Sequence, residues 1–309
     1  MKKPLNERIV IRSVSEQHRL LSLPGPEHPL LSILRFEDLP QLPLPQEDLS
    51  LRFSMDFYTI TLKKGCSCKL KYGQNYYDFD SGVMSFIAPG QVIDWQSSDG
   101  NPPAGWMLVV HPDLLRNHTL ERRFKEYGFF SYALNEALHL SDKEEDKIGK
   151  IMQDIKNEYS SNMDSYSEEI MLSHIELLLS YCNRFYNRQF ITRKKLDNDL
   201  LQRLVFLLDE YFDGPLSAEK GLPDVSYFAD RLHKSPGYLG DMLRKSTGLS
   251  TQQHIQNRLI EKARELLGSS AMSVSEIAYA LGFEYPQSFN KLFRKKTGLT
   301  PLEFRHSLS

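Results

Sequence analysis

Residues Glu276–Pro301 read "EIAYALGFEYPQSFNKLFRKKTGLTP" and decide the architecture of the C-terminal part of the chain. Ser273 and Glu276 have the S-x-x-E spacing of a capping box. Val274, Ile277, Ala278 and Leu281 share one helical face, and Gly282 supplies the left-handed residue that ends such a helix. Pro286 fits the first turn of a second helix, where its missing N–H is not needed. In that helix Phe289, Leu292 and Phe293 fall at i, i+3 and i+4 and define a buried face, while Gln287, Asn290, Lys291 and Arg294 lie on the other side. The spacing predicts helix, tight turn, helix, with Thr300, Pro301 and Glu303 opening another capped helix.

A blurred copy precedes it. Val225–Ser250 aligns with Val274–Thr300 at an offset of 49 residues over the first helix and 50 over the second. Ala229 meets Ala278, Leu232 meets Leu281, Leu239 meets Phe289, Leu243 meets Phe293, and both copies carry Thr-Gly-Leu. Ser235-Pro236 opens the second helix of this copy. The repeats are joined by "TQQHIQNRLIEKARELLG", expected as one helix of about 16 residues, or about 24 Å.

A short helix that presents amides and cations outward from a duplicated helix-turn-helix suits the major groove of DNA, where amides meet adenine edges and cations meet guanine or phosphate. Charge agrees only in its distribution. The 309-residue chain has a formal net charge of −2, yet residues 192–309 hold 17 Lys/Arg against 14 Asp/Glu, and four of those cations fall between Lys291 and Lys296. Clustering within one motif, rather than overall charge, carries the expectation.

These residues resemble the AraC/XylS family of bacterial transcription regulators, whose signature matches "SEIAYALGFEYPQSFNKLFRKKTGLTPLEFR", Ser275–Arg305, with a looser match back to Asp197. The resemblance implies that DNA is met by Pro286, Gln287, Asn290, Lys291 and Arg294 in the second unit, and by Gly237, Tyr238, Gly240, Asp241 and Arg244 in the first. The first set departs from the family pattern, because two glycines and an aspartate stand where large polar or basic groups are usual. The second unit is therefore expected to supply more of the discrimination.

Upstream the texture changes. From Pro29 to His111, segments such as "FYTITL", "CSCKLKY", "GVMSFIAP" and "GWMLVV" alternate with Gly, Asn, Asp and Pro clusters, which predicts a small antiparallel barrel or sandwich. Helices are expected at Glu144–Tyr159 and Ser167–Tyr186. The second is apolar on more than one stripe, which fits either intrachain packing or a dimer contact. "NRQFITRKKLDND", Asn187–Asp199, reads as a linker.

The expected fold is α+β: a cupin-like sensory and dimerisation domain over residues 1–186, a linker over 187–199, and an all-α double helix-turn-helix domain over 200–309. The expected partners are double-stranded DNA, a small-molecule effector, RNA polymerase as the family implies, and a second copy of the chain. The location is expected to be cytoplasmic, with no membrane contact. Competing possibilities are a cupin-type enzyme fused to a DNA-binding domain and a regulator without a ligand. Metal-dependent cupins need paired histidines with a carboxylate. "KYGQNYYDFDSGVMSFIAPGQVIDW" contains no histidine, so neither metal nor cofactor is expected, nor is enzymatic activity. Tyr58, Tyr72, Tyr76, Tyr77, Trp95 and Trp106 are of a type that lines cavities, although core packing is the commoner role. Cys66, Cys68 and Cys182 are expected as free thiols.

Overall fold

The computed structural model describes residues 9–39, 51–64, 70–72, 75–77, 82–95, 104–133, 136–192 and 194–307. The chain divides into two compact units, Met1–Gln189 and Phe190–Ser309.

The first unit is β-rich. Its strands are β1 (Ile9–Ile11), β2 (Leu31–Arg35), β3 (Leu51–Met55), β4 (Tyr58–Lys64), β5 (Leu70–Tyr72), β6 (Asn75–Tyr77), β7 (Val83–Ile87), β8 (Val92–Trp95), β9 (Ala104–Val110) and β10 (Leu138–His139). Its helices are α1 (Val14–Leu20), α2 (Thr119–Glu126), α3 (Asp142–Tyr159) and α4 (Ser167–Thr192). The strands form a five-stranded sheet in the order β10-β7-β4-β9-β2, a three-stranded sheet β1-β3-β8 and the pair β5-β6. Among the described residues no sheet closes on itself, and of the expected barrel or sandwich the structure shows open sheets that share a core.

Strand alternation gives the five-stranded sheet two different faces. Ile60, Leu62, Met84 and Leu108 are fully buried on one, where the Cys182 thiol of α4 lies 3.6 Å from the Met84 sulfur and Lys64 pairs with Glu145 of α3 at 2.7 Å. Burial pushes that thiol far above its ordinary pKa, which keeps it protonated. The opposite face contributes Ile87 and Val109 to a core shared with Val14 of α1 and with Ile11, Met55 and Ile93 of the small sheet. Tyr58 packs against Phe124 and Phe130 with ring centres 4.6 and 5.0 Å away, and Trp106 is buried under Arg35. Both aromatics belong to the helix-covered side. The side chains of Tyr72, Tyr76, Tyr77 and Trp95, and all of Cys66 and Cys68, lie outside the described residues.

The segment expected as a linker is helical over 187–192 and again from Lys194. Its first residues are held by packing. Arg188 binds Glu144 at 2.7 Å, and the buried Gln189 side chain accepts from the His139 N–H and donates to the Ala137 carbonyl. A polar, basic string therefore becomes helix because its polar groups have partners in the first unit.

The second unit is all helical: α5 (Lys194–Asp213), α6 (Leu216–Lys220), α7 (Val225–Arg231), α8 (Pro236–Thr247), α9 (Thr251–Ser269), α10 (Val274–Ala280), α11 (Pro286–Thr297) and α12 (Pro301–Ser307). The joining helix α9 has 19 residues, longer than its pattern suggests, because Ser250 and Gln253 form a capping box and the helix continues to Ser269. At about 1.5 Å per residue it spans about 28 Å. Arg258 and Lys262 tie it to α5 through Asp209 and Asp213, with Lys262 2.6 Å from Asp213.

Candidate nucleic-acid interface

Each recognition helix is set by its turn. In the second unit the Ser273–Glu276 capping box is complete, and Glu276 is held below its ordinary pKa by hydrogen bonds from Ser273, the backbone N–H first. Gly282 has φ +88°, and a Cβ on it would sit 2.5 Å from the Ser217 carbonyl oxygen and 2.6 Å from the Gly221 carbonyl carbon. Only glycine satisfies both the left-handed backbone and the close approach. In the first helix-turn-helix copy the equivalent left-handed position is His233, φ +54°, and Ser235 caps α8 by accepting from the Tyr238 N–H at 3.2 Å.

α11 is held in place by aromatic contacts. Phe289 and Phe293 are fully buried, and Phe283–Phe289, Phe289–Phe293 and Phe293–Phe304 follow at 5.4, 5.7 and 5.5 Å between ring centres. With that side fixed, Gln287, Asn290, Lys291 and Arg294 are exposed, while Pro286 is half-buried at the helix start. Asn290, Lys291, Arg294, Lys295 and Thr300 line one shallow concave surface that has no carboxylate in its lining. Among the described residues Lys291, Arg294 and Lys295 form no salt bridge. Lys296 instead reaches back to Asn257 at 3.3 Å. The sequence pattern marks Thr300 only as a helix cap and Lys295 only as part of the cationic cluster. Lys295 follows Arg294 directly, and Thr300 enters only because the left-handed Gly298 turns the chain back beneath the helix.

The equivalent surface of α8 is different. Tyr238 does not point outward: its side chain is buried against Phe190, with ring centres 5.3 Å apart, under the Lys234 ammonium. Gly237 and Gly240 offer no side chain. Asp241 is half-buried and pairs with Arg244 at 3.3 Å, one turn on, so the cation of this face is partly neutralised within its own helix. The structure brings Asn290, Lys291 and Arg294 onto one surface, with Gln287 exposed on the same helix. Of the first-unit candidates it leaves Arg244 as the exposed side chain.

The helix-turn-helix domain family matches residues 228–307, which include both turns. The chain is 26% identical over 231 residues to the uncharacterized HTH-type transcriptional regulator YijO of Escherichia coli K12, covering 73% of this chain and 76% of that protein. It is 28% identical over 151 residues to the transcriptional activator RhaR of Escherichia coli O139:H28, covering 48% of this chain and 50% of RhaR. The helix-turn-helix match and these relatives support an AraC/XylS-family transcriptional regulator. Over 105 residues it is also 34% identical to the activator RhaS of Escherichia fergusonii, covering 34% of this chain and 35% of RhaS. The matches thus span half or less of the two activators. The helix-turn-helix domain and the regulators it resembles support a DNA-binding transcriptional regulator. Among the described residues no helix is long and apolar enough to cross a membrane.

Proposed function

We propose that α11 is the principal reading helix of this regulator, entering the major groove with Gln287, Asn290, Lys291 and Arg294, and that α8 mainly positions the domain. The observation that carries this is the contrast between the two helices. Among the described residues α11 exposes Lys291, Arg294 and Lys295 without salt bridges beside two amides, whereas α8 has no amide and exposes Lys245 and an Arg244 already paired with Asp241. Amides and unpaired cations supply base-edge and phosphate contacts, and a carboxylate beside Arg244 subtracts from what α8 offers.

The test is selection of bound sequences from a randomised duplex by the full chain, followed by base-by-base substitution of the selected site. Loss of preference at one base in Lys291→Ala marks the half met by α11. That half should show the greater sensitivity, and greater sensitivity in the other half sinks the assignment.

The protein is further proposed to act in the cytoplasm as a homodimer joined through α4, with a cupin-like first unit that answers a small effector, and to act on RNA polymerase. Support for the dimer comes from Ile170 and Leu177, which are 41% and 44% exposed and lie seven residues apart on one stripe of α4, while Leu172, Ile175, Leu178 and Leu179 are buried. A helical stripe of apolar side chains open to water suits a partner helix. Equilibrium sedimentation of Ile170→Glu/Leu177→Glu should give a monomer; an unchanged oligomer rejects this contact.

A further inference from the structure

The inter-sheet face of the five-stranded sheet changes character along its length. At one end Val109 and Ile87 join the apolar core. Toward the other, Thr59, Thr61 and Lys63 follow one another on β4, with Ser85 and Met107 in register with Thr61. Lys64, on the opposite face, is the residue that meets Glu145, so Lys63 projects toward the small sheet and α1. Its neighbours in register are Val83 and Gly105. Gly105, at φ +125°, cannot be replaced, because a Cβ there would overlap the Leu62 carbonyl oxygen. No side chain therefore lies beside Lys63 on the β9 side.

Two polar groups in this layer lack compensation. Lys63 makes no hydrogen bond or ion pair with the described residues, and burial alone pushes its ammonium below the ordinary lysine pKa. Gln17 of α1 is 5% exposed; its amide nitrogen donates to the Met107 sulfur at 3.5 Å, and its amide oxygen is buried without a partner. A desolvated charge and a buried acceptor each destabilise a fold unless something binds them. Met107 is two residues from Gly105, so Gln17 and Lys63 are separated along the strand by about 7 Å.

We propose that this layer binds a small organic acid, with its carboxylate on the Lys63 ammonium and a hydroxyl or amine of the ligand donating to the Gln17 amide oxygen. A neutral polyol would leave the ammonium uncompensated. A phosphate would bring a second charge, and Lys63 is the only cation this face of β4, β7 and β9 provides among the described residues. The inference rests on effector control and names the chemistry of the effector.

The test uses the full chain and three hydroxy acids, lactate, 3-hydroxybutyrate and mandelate, each beside its uncharged amide. Binding is followed by calorimetry and thermal shift. At least one acid should bind about tenfold or more tightly than its amide, as expected for a desolvated charge-assisted hydrogen bond. Lys63→Met should bring acid and amide within about twofold of each other, and Lys63→Arg should retain the preference. Without ligand Lys63→Met should melt higher than the parent, because a partly buried charge with no partner among the described residues has been removed. Gln17→Met should erase the preference for lactate over propionate. No acid preference in the parent chain, a preference that survives in Lys63→Met, or a ligand-free Lys63→Met that melts lower would each overturn the proposal. Anisotropy on labelled DNA separates this from effector control. An acid held through Lys63 that leaves DNA affinity unchanged keeps the site and rejects the control. A neutral compound that shifts DNA affinity equally in parent and Lys63→Met keeps the control and rejects the site.

Discussion

The contrast between α11 and α8 can be measured before any operator is known, because counterion release depends on cations and not on sequence. Each phosphate neutralised by a cation steepens the dependence of log K on log salt by about 0.9 on duplex DNA. Lys291, Arg294 and Lys295 form no salt bridge among the described residues, so α11 can contribute a slope of about 2.7 per bound protomer. Lys291→Ala should lower the slope by about 0.9 and lose about 3–4-fold of the affinity difference between 50 and 200 mM salt. Arg244, 3.3 Å from Asp241, carries a charge largely balanced within its helix. Removing both in Arg244→Ala/Asp241→Ala should change the slope by well under half as much. Asp241→Ala alone should steepen it, since Arg244 is released to meet phosphate. The assay is fluorescence anisotropy on a duplex of arbitrary sequence at four or more salt concentrations. If the double variant flattens the slope as much as Lys291→Ala, α8 makes the same ionic contacts as α11 and the proposed inequality is wrong.

Four further outcomes follow from the packing of the second unit. Phe293→Ala removes a fully buried ring that touches Phe289 and Phe304; it should cost about 3–5 kcal/mol, and an unchanged urea midpoint would show that the ring is not core. Gly282→Ala should cost more than about 2 kcal/mol, because it combines a left-handed backbone with overlap onto the Ser217 and Gly221 carbonyl groups; a thermal melt equal to the parent's counts against it. Gly240→Ala should stabilise by about 0.5–1 kcal/mol, since the new Cβ meets only Thr251 Oγ1 at an ordinary 3.8 Å and a glycine leaves the helix interior; a lower melting temperature rejects this. The Asp213 carboxyl is held below its ordinary 3.8, first by the hydrogen bond from Lys262 and then by the Arg258 charge. Its contribution is complete above that ordinary value and is lost as pH falls through the lowered one, so stability should decline below about pH 4 and Asp213→Asn should flatten that decline in urea titrations. A decline equally steep in the variant would assign the acid sensitivity to other groups.

The sequence shows the second unit closely because its signals are local. Ser273 with Glu276, Pro286 after a glycine turn, and Phe289 with Phe293 each act within one or two helical turns, and the structure has all of them where the spacing puts them. The first unit is less legible because its contacts are distant in sequence. β1 pairs in parallel with β3 more than forty residues away, and nothing in Ile9–Ile11 announces that partner. Asn187–Gln189 looks like a linker until Glu144, His139 and Ala137 are brought against it. Strand number suggests a barrel or a sandwich and does not choose between them, because closure depends on the pairing of edge strands.

The same distinction explains why the two halves of the interface differ in legibility. α11 could be assigned from its helical face because Phe289 and Phe293 fix its rotation. On α8 it is the family resemblance that places Tyr238 among the outward candidates, yet a tyrosine carries a large apolar ring and can turn inward wherever a neighbour accepts it. Phe190 provides that neighbour, 48 residues earlier in the chain, and so removes an aromatic group from the reading surface. The Asp241–Arg244 pair, by contrast, was present in the i, i+3 spacing from the start. A helix without amides, whose Arg244 is balanced one turn away and whose Gly237 and Gly240 offer no side chain, is better suited to setting the register of its neighbour than to reading bases.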